Sequence, residues 1–287
     1  MRNWGLIIVF AGCLLAAPSD LDRARQLYDR TEYDGALKLL LSLTSGASVG
    51  GPIWELIGKS YFNRADFKKA GEAFEKAIAA DPNKSAYYHW LGRAYGRRAE
   101  TSGPFTAPAY AVKARQNFEK AVALDARNIE AINDLFEYYL EAPGFLGGGM
   151  DKAAALSAKI RAVDPVEYHY SLAQIAERRK EYGTAEEHFR RAVEMAPRQV
   201  GRVIDLARFL SKQGRDQESE QLFAQAEKIA PDAPKLLFER ARSYIRARKN
   251  LDSAKTLLER YLKAPLSPDD PPRADAERLL KQVAAGA

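Results

Sequence analysis

Residues 54–82 read WELIGKSYFNRADFKKAGEAFEKAIAADP, and this stretch decides the fold. Its apolar residues recur at helical spacing in two segments, and Asp81-Pro82 ends the second segment because proline cannot continue a helix. The stretch therefore predicts two helices joined by a short turn, with small residues at their contact and large residues facing the next pair. The positions that carry the pattern are Trp54, Leu56, Ile57, Gly58, Tyr61, Ala70, Phe74, Ala77 and Pro82.

The same pattern recurs along the chain, which is the signature of a repeat protein. A helix pair of this kind cannot bury its apolar face alone, so the copies must stack on one another. The further copies contain Leu91-Gly92 with Phe118, Leu135 with Ala153, Leu172-Ala173 with Phe189, Leu206 with Phe223, Ala241 with Leu258, and a divergent first copy with Ala24 and Leu40.

The spacing of these residues, Leu56 excepted, resembles the tetratricopeptide-repeat (TPR) consensus, which the copy over residues 54–82 matches at all eight signature positions. The resemblance covers about residues 20–265 in about seven repeats. It implies an all-α fold, a right-handed α-solenoid of stacked helix–turn–helix repeats. Residues 266–287 are predicted to form a capping helix and tail, because their helical segment is more polar than the others.

Residues 1–19 predict an export signal. Trp4 to Ala17 is an apolar run of 14 residues that follows Arg2 and precedes small residues. The run is short for a stable anchor, since a membrane-spanning helix needs about 20 apolar residues. An uncleaved anchor and a buried first helix stay open as alternatives. The expected location is the periplasm or cell envelope.

Cys13 is a candidate lipidation site, because Phe10-Ala11-Gly12-Cys13 resembles a bacterial lipobox. Membrane contact is expected only through such a lipid anchor. The apolar run continues through Leu14 and Leu15, so the alternative is that Cys13 is one more apolar residue of a discarded signal. A single cysteine also excludes a disulfide-stapled fold and a cysteine-based structural metal site.

The first helix of each pair, the A helix, lines the concave face in stacks of the TPR family. Its groove-facing positions are therefore candidate contacts for a protein partner, and their mixed charge suits an extended peptide or a partner helix. The alternative is that they are only the solvated faces of amphipathic helices. These candidates are Lys59, Asn63, Arg93, Arg97, Asn133, Glu137, Gln174, Arg178, Arg208 and Lys212.

The third and fourth copies are irregular. Gly92 and Ala114 are 22 residues apart, where the second copy has 12, and the extra residues are expected in the turn, around residues 100–109. The fourth copy has a similar long turn at residues 141–150. Both turns should lie on one edge of the stack. Their apolar residues form either a lip that grips a partner or plugs that fold down onto the surface: Phe105, Phe145 and Leu146.

Catalysis is not expected. The histidines, His89, His169 and His188, have no i, i+4 metal-ligand spacing, and no nucleophile motif or cofactor motif is present. The net charge of +6 permits anionic partners, but the basic clusters alternate with glutamates and form no continuous stripe for nucleic acid. The leading hypothesis is a non-catalytic protein-binding adaptor of the cell envelope. The rival is a cytoplasmic TPR protein that binds RNA through its basic surface.

Overall fold

A computed structural model describes residues 19–45, 49–267 and 270–284 of the chain. In these ranges the secondary structure is entirely helical, with two short 3₁₀ turns at Leu43–Ser45 and Gly144–Leu146. The α-helices are α1 (Asp20–Asp29), α2 (Tyr33–Ser42), α3 (Gly51–Asn63), α4 (Phe67–Ala80), α5 (Ser85–Thr101), α6 (Ala107–Leu124), α7 (Ile129–Glu141), α8 (Met150–Val163), α9 (Pro165–Arg178), α10 (Tyr182–Met195), α11 (Val200–Lys212), α12 (Asp216–Ile229), α13 (Pro234–Ala247), α14 (Leu251–Lys263) and α15 (Arg273–Ala284).

Consecutive helices pack as pairs, from α1 with α2 to α13 with α14, and each pair packs on the next. The odd-numbered helix of each pair is the A helix and the even-numbered one the B helix. Neighbouring A helices also contact each other, as α3 does α5, α5 does α7 and α11 does α13. The expected all-α solenoid of stacked helix pairs is therefore confirmed.

Helix ends follow from local sequence. The side chains of Asp66, Asn128 and Asp164 each accept a hydrogen bond from a backbone N–H of the first turn that follows, which satisfies donors that a helix start leaves free. At the other end, α4, α10 and α12 each stop two residues before a proline, as the Asp81-Pro82 pattern predicts.

Close contact between the two helices of a pair depends on glycine, which has no side chain. A Cβ placed on Gly92 of α5 would lie only 2.6 Å from the Phe118 ring of α6 and 3.2 Å from the Ala114 carbonyl oxygen. No larger residue fits there without movement of α6, because packed interiors have no spare volume. The glycine therefore fixes the distance between the two helices.

The apolar interior is divided into clusters along the stack. The largest runs from Phe62 in α3 to Ile175 in α9. A separate cluster joins α1 and α2 to α3 and α4, and another joins α13, α14 and α15. Each cluster spans neighbouring pairs, as expected when every repeat buries its surface only against its neighbours.

The extra residues of the third copy lie mostly in helices, so their expected place in the turn was wrong. Helix α5 has 17 residues where α3 has 13, and α6 has 18 where α4 has 14. Only Ser102–Thr106 remain between α5 and α6. The start of α6 reads APAYAVKA, and its alanines favour helix over loop.

The predicted signal at residues 1–19, with Cys13, lies outside the described residues except for Ser19, and the division at residue 265 stays a prediction. Helix α15 packs on α14 and α13. Across residues 19–45, 49–267 and 270–284, none of the helices has the length and apolar character needed to span a bilayer.

Candidate functional site

The inner wall of the stack, formed by the A helices, carries a central cavity of about 520 Å³. Its lining comes from α1, α5, α7, α9, α11 and α13, so six A helices face one space. Four of the predicted contact residues line it, namely Arg93, Asn133, Glu137 and Gln174.

A second cavity, of about 470 Å³, lies at the C-terminal ends of α7, α9 and α11. It brings together Gln174, Arg178, Arg208 and Lys212, all predicted from sequence. Two of these cations are paired at its wall. Lys212 Nζ lies 2.6 Å from Glu177 Oε1, and Arg178 Nη1 lies 3.4 Å from Glu141 Oε2.

The other predicted contacts lie apart from these two cavities. Asn63 and Arg97 line a cavity of about 440 Å³ that the segment after α14 closes on one side. The Asn63 amide donates a hydrogen bond to the Tyr28 hydroxyl at 3.0 Å. Lys59 Nζ lies 2.6 Å from Glu55 Oε1 and 5.1 Å from the centre of the Trp90 ring. Its charge is therefore engaged within the protein.

Asp134 in the fourth copy contacts two residues of the third copy. Asp134 Oδ2 lies 2.7 Å from His89 Nε2 and 3.6 Å from Arg93 Nε. Glu137, one turn further along α7, has no hydrogen bond or ion pair within the described part of the chain. Its carboxylate is thus available to a ligand.

Glu137 has an unusual affinity for protons. Burial among the walls of the stack and the neighbouring Asp134 raise the pKa of the Glu137 carboxyl to about 7, although Lys235 and Arg208 act in the opposite direction. Water still reaches the side chain, so the shift reflects surrounding protein rather than complete exclusion of solvent. We therefore expect Glu137 to lose its proton at a higher pH than an ordinary glutamate.

A buried ionic network connects α9, α11 and α13. The Asp205 side chain is 1% exposed and accepts hydrogen bonds from Arg202 Nη1 at 3.1 Å and Lys235 Nζ at 2.8 Å. Arg202 Nη2 also donates to Glu167 Oε2 at 2.7 Å. The Arg202 guanidinium carbon lies 3.8 Å from the centre of the Tyr170 ring, within range of a cation–π interaction.

The sequence analysis did not single out this network. Its cross-helix pairs, Glu167 with Arg202 and Asp205 with Lys235, are separated by 35 and 30 residues. Those separations are close to the length of one repeat, so opposite charges about one repeat apart on successive A helices were the available signal.

The turns of the third and fourth copies expose aromatic rings. Phe105 is 98% exposed and Phe145 is 83% exposed, so the alternative of plugs folded onto the surface is wrong for both. Leu146 is partly buried, and its carbonyl oxygen accepts a hydrogen bond from the Tyr138 hydroxyl at 2.9 Å. The Gly144–Leu146 turn contacts α6 of the preceding copy. A gripping role for these residues stays a prediction.

The inner wall offers amides, carboxylates and guanidinium groups, which are groups that bind a partner by hydrogen bonds and charge. Within the described ranges, no three His, Cys, Asp or Glu residues are grouped so that they could hold a metal ion.

Family comparisons agree with the geometry. Three tetratricopeptide-repeat models match the chain, at residues 51–84, 148–200 and 177–237. No curated protein matches the chain.

Several solved structures share the fold. A tetratricopeptide-repeat protein from Parabacteroides merdae is 12% identical with a TM-score of 0.66, and the match covers 92% of this chain and 97% of that one. A thermophilic TPR protein from Thermus thermophilus is 21% identical with a TM-score of 0.53, covering 67% and 97%. A human IFIT1 dimer with PPP-AAAA is 17% identical with a TM-score of 0.54, covering 85% and 54%.

These identities establish the fold alone. TPR proteins generally mediate protein–protein interaction, and the fold is typically a non-enzymatic scaffold. The helix pairs, the inner wall and the three family matches agree. The chain therefore contains tetratricopeptide repeats.

Proposed function

We propose that this chain is a non-catalytic adaptor that binds a peptide segment or helix of a partner protein in its concave groove. The observation that carries the proposal is the central cavity lined by six A helices. A groove of this kind suits a single elongated ligand, because neighbouring repeats each contribute contacts along one continuous surface.

The polar lining of the groove supports a peptide as the ligand. The side-chain amides of Asn133 and Gln174 have no hydrogen-bond partner among the described residues. A carboxamide presents both donors and an acceptor, which match the N–H and C=O groups of a peptide backbone. Trp90 and Tyr170 line the same cavity and add apolar contact area. The combination suits a segment with both polar and apolar character.

The proposed location is the cell envelope, with the chain exported and either free in the periplasm or anchored by lipid at Cys13. This part rests on the apolar run at residues 4–17 and on the lipobox-like sequence before Cys13.

Site-specific photocrosslinking tests the groove. A photoreactive phenylalanine analogue replaces Gln174, and the chain is irradiated in cells and purified for mass spectrometry. The matched control carries the same analogue at Gln225, an exposed glutamine on B helix α12. We expect a defined protein adduct from position 174 only. Equal labelling from both positions would refute binding in the groove.

The rival function, RNA binding, gives a different result in the same experiment. Position 174 would then yield nucleic-acid adducts that ribonuclease removes. The basic clusters are the observation behind this rival, yet Arg190 and Arg191 each pair with a glutamate, at 2.7 and 3.1 Å. Paired cations of this kind are poorly available to phosphates.

A further inference from the structure

The outer side of the stack carries a cavity of about 830 Å³, larger than either cavity of the inner wall described above. It lies between the B helices α6 and α8, with α7 beneath them. The α7 residues that line it include Ile132 and Tyr139. Asn133 and Glu137 of the same helix face the central cavity instead. This outer cavity is therefore separate from the groove proposed for a partner peptide.

The lining of the outer cavity is mainly apolar. Nine of its fourteen lining residues are aliphatic, and its floor includes Ile132 and Leu135 of the large apolar cluster. Ala123 of α6 and Ala155 of α8 also line it, and both are exposed. Because alanine fills little volume, a channel stays open between the two helices where larger side chains would close it.

The shape of the cavity suits an extended chain rather than a helix. The α8 residues that line it run from Lys152 to Val163, which at 1.5 Å per residue is about 17 Å. The volume spread over that length gives a mean cross-section of about 50 Å², less than the roughly 80 Å² of a helix 10 Å across. A single hydrocarbon chain is thinner than a helix and can lie along the channel.

The polar groups around Tyr139, at one end of the cavity, are paired within the protein. Glu119 Oε1 accepts hydrogen bonds from Arg115 Nη1 and from the Tyr139 hydroxyl, both at 2.7 Å. Lys152 Nζ donates to the Gly147 carbonyl oxygen at 2.8 Å. This end therefore has little need of a polar ligand.

The other end of the cavity carries two cationic side chains. Arg127 lies in the loop between α6 and α7, and Lys159 lies one turn before the end of α8. Both are exposed, and neither side chain forms an ion pair or a hydrogen bond with any residue that the structure describes. An anion is therefore the group that complements this end of the cavity.

We propose that the outer cavity binds a long-chain fatty acid, with the acyl chain along the apolar channel and the carboxylate at Arg127 and Lys159. A guanidinium pairs with a carboxylate through two parallel hydrogen bonds, and an ammonium adds a further charge-assisted contact. The volume lies within the roughly 300–1,000 Å³ of small-molecule sites, which are mostly apolar with a few polar groups. The site uses no residue of the central groove, so it does not depend on the proposed function.

Displacement of a fluorescent fatty acid from the full chain tests this. The probe is dansyl-labelled undecanoate, whose emission rises in apolar surroundings, and the competitors are dodecanoate and the uncharged dodecanol. We expect dodecanoate to displace the probe and dodecanol to bind about tenfold more weakly, since a charge-assisted hydrogen bond contributes about that factor. Equal binding of the two would mean that the anion is not recognised, and the proposal would be wrong.

Arg127→Gln should weaken dodecanoate binding about tenfold and leave dodecanol binding unchanged, because only the charged contact is lost. The matched control is Arg198→Gln. Arg198 is likewise exposed and lies two residues before the A helix α11, as Arg127 lies two residues before α7. Equal weakening by Arg198→Gln would show that only net charge matters and would overturn the proposal.

Ala155→Trp tests the channel itself, because an indole on this exposed residue fills the cavity without replacing a buried side chain. The control is Gln221→Trp, since Ala155 and Gln221 are each the sixth residue of a B helix, α8 and α12. We expect the first change to abolish dodecanoate binding and the second to leave it intact, with circular dichroism confirming that both variants are folded. Binding retained by folded Ala155→Trp would reject this site.

A helix of a partner protein is the alternative occupant of an apolar channel. A photoreactive phenylalanine analogue at position 155 would then give a protein adduct in cells. A fatty-acid site predicts no such adduct, and it predicts fatty acid in organic extracts of the purified parent chain. A protein adduct at position 155 would overturn the fatty-acid proposal, whereas the adaptor function is judged separately by the adduct at position 174.

Discussion

Gly58 packs against the ring of Phe74, where a Cβ on the glycine would lie 2.5 Å from the ring carbon Cε1. The two residues belong to α3 and α4, and the small residue sets how closely the helices approach. Its equivalent in the next repeat is the contact between Gly92 and Phe118. The pair therefore explains in physical terms why the sequence pattern combines a glycine with an aromatic residue.

Gly58→Ala should lower the free energy of unfolding by about 1–3 kcal/mol, because an added methyl forces the ring or the helix to move. The control is Gly96→Ala in α5, where a Cβ meets nothing within 4 Å. That change should raise stability by about 0.5–1 kcal/mol, since alanine restricts the unfolded chain. Urea unfolding measures both. Effects of the same sign would contradict the packing argument.

Asp205→Asn should destabilise the protein by about 3 kcal/mol, because it leaves Arg202 and Lys235 without their shared buried carboxylate. The control is Asp232→Asn, since Asp232 is 85% exposed and pairs with Arg260 at 2.8 Å. Exposed pairs contribute only about 0–1 kcal/mol. Chemical denaturation of both variants is the measurement, and comparable losses would show that burial of Asp205 does not matter.

Glu137→Gln should change the pH dependence of stability. The folded-state pKa of about 7 lies above the ordinary value of 4.5, so the unfolded chain loses this proton first as the pH rises. The contribution of Glu137 to the free energy of unfolding is therefore largest at acid pH, and it declines as the pH rises from about 4.5 to about 7. The variant lacks that decline. The difference in Tm between the variant and the parent should therefore favour the variant more at pH 8 than at about pH 4.5. The same difference in Tm at both pH values would exclude the raised pKa.

Replacing Phe105 and Phe145 together by serine should leave stability within about 0.5 kcal/mol of the parent, because both rings are exposed. If these rings form a lip, the yield of the protein adduct at position 174 should fall in the same variant. Met195→Gln, at the end of α10, controls for loss of an exposed apolar side chain elsewhere. An unchanged adduct yield would remove the lip from the binding surface.

Cys13→Ala tests the lipid anchor. The parent chain should partition into detergent and carry an acyl label. The variant should do neither, because Cys13 supplies the only thiol in the sequence. If parent and variant partition alike and neither is labelled, the apolar segment is an export signal without lipidation or an uncleaved anchor.

The repeat and its pairing were predictable because Gly58, Phe74 and Pro82 act locally: each has a steric role within one helix pair or at its end. Groove positions such as Asn133 and Gln174 were predictable for a related reason. Once the repeat is aligned, the helical period decides which side of the A helix faces inward.

The buried network around Asp205 was not predicted, because its stability depends on partners in two other helices. A sequence full of charged residues offers many pairings, and only the packed distances decide which charges meet. The length of α5 and α6 was also missed. Inserted residues in a repeat are usually assigned to turns, whereas an alanine-rich insertion lowers the free energy of the helix enough to extend it.

Division of the apolar interior into clusters has a mechanical consequence. A globular domain with one core resists bending as a block, but here each pair packs mainly against its neighbours, so small tilts between adjacent pairs can add along the chain. We therefore expect the stack to flex most easily in the direction that widens or narrows the groove. A ligand that bridges distant A helices should reduce this flexibility. Binding should therefore change the stiffness of the stack as well as its shape.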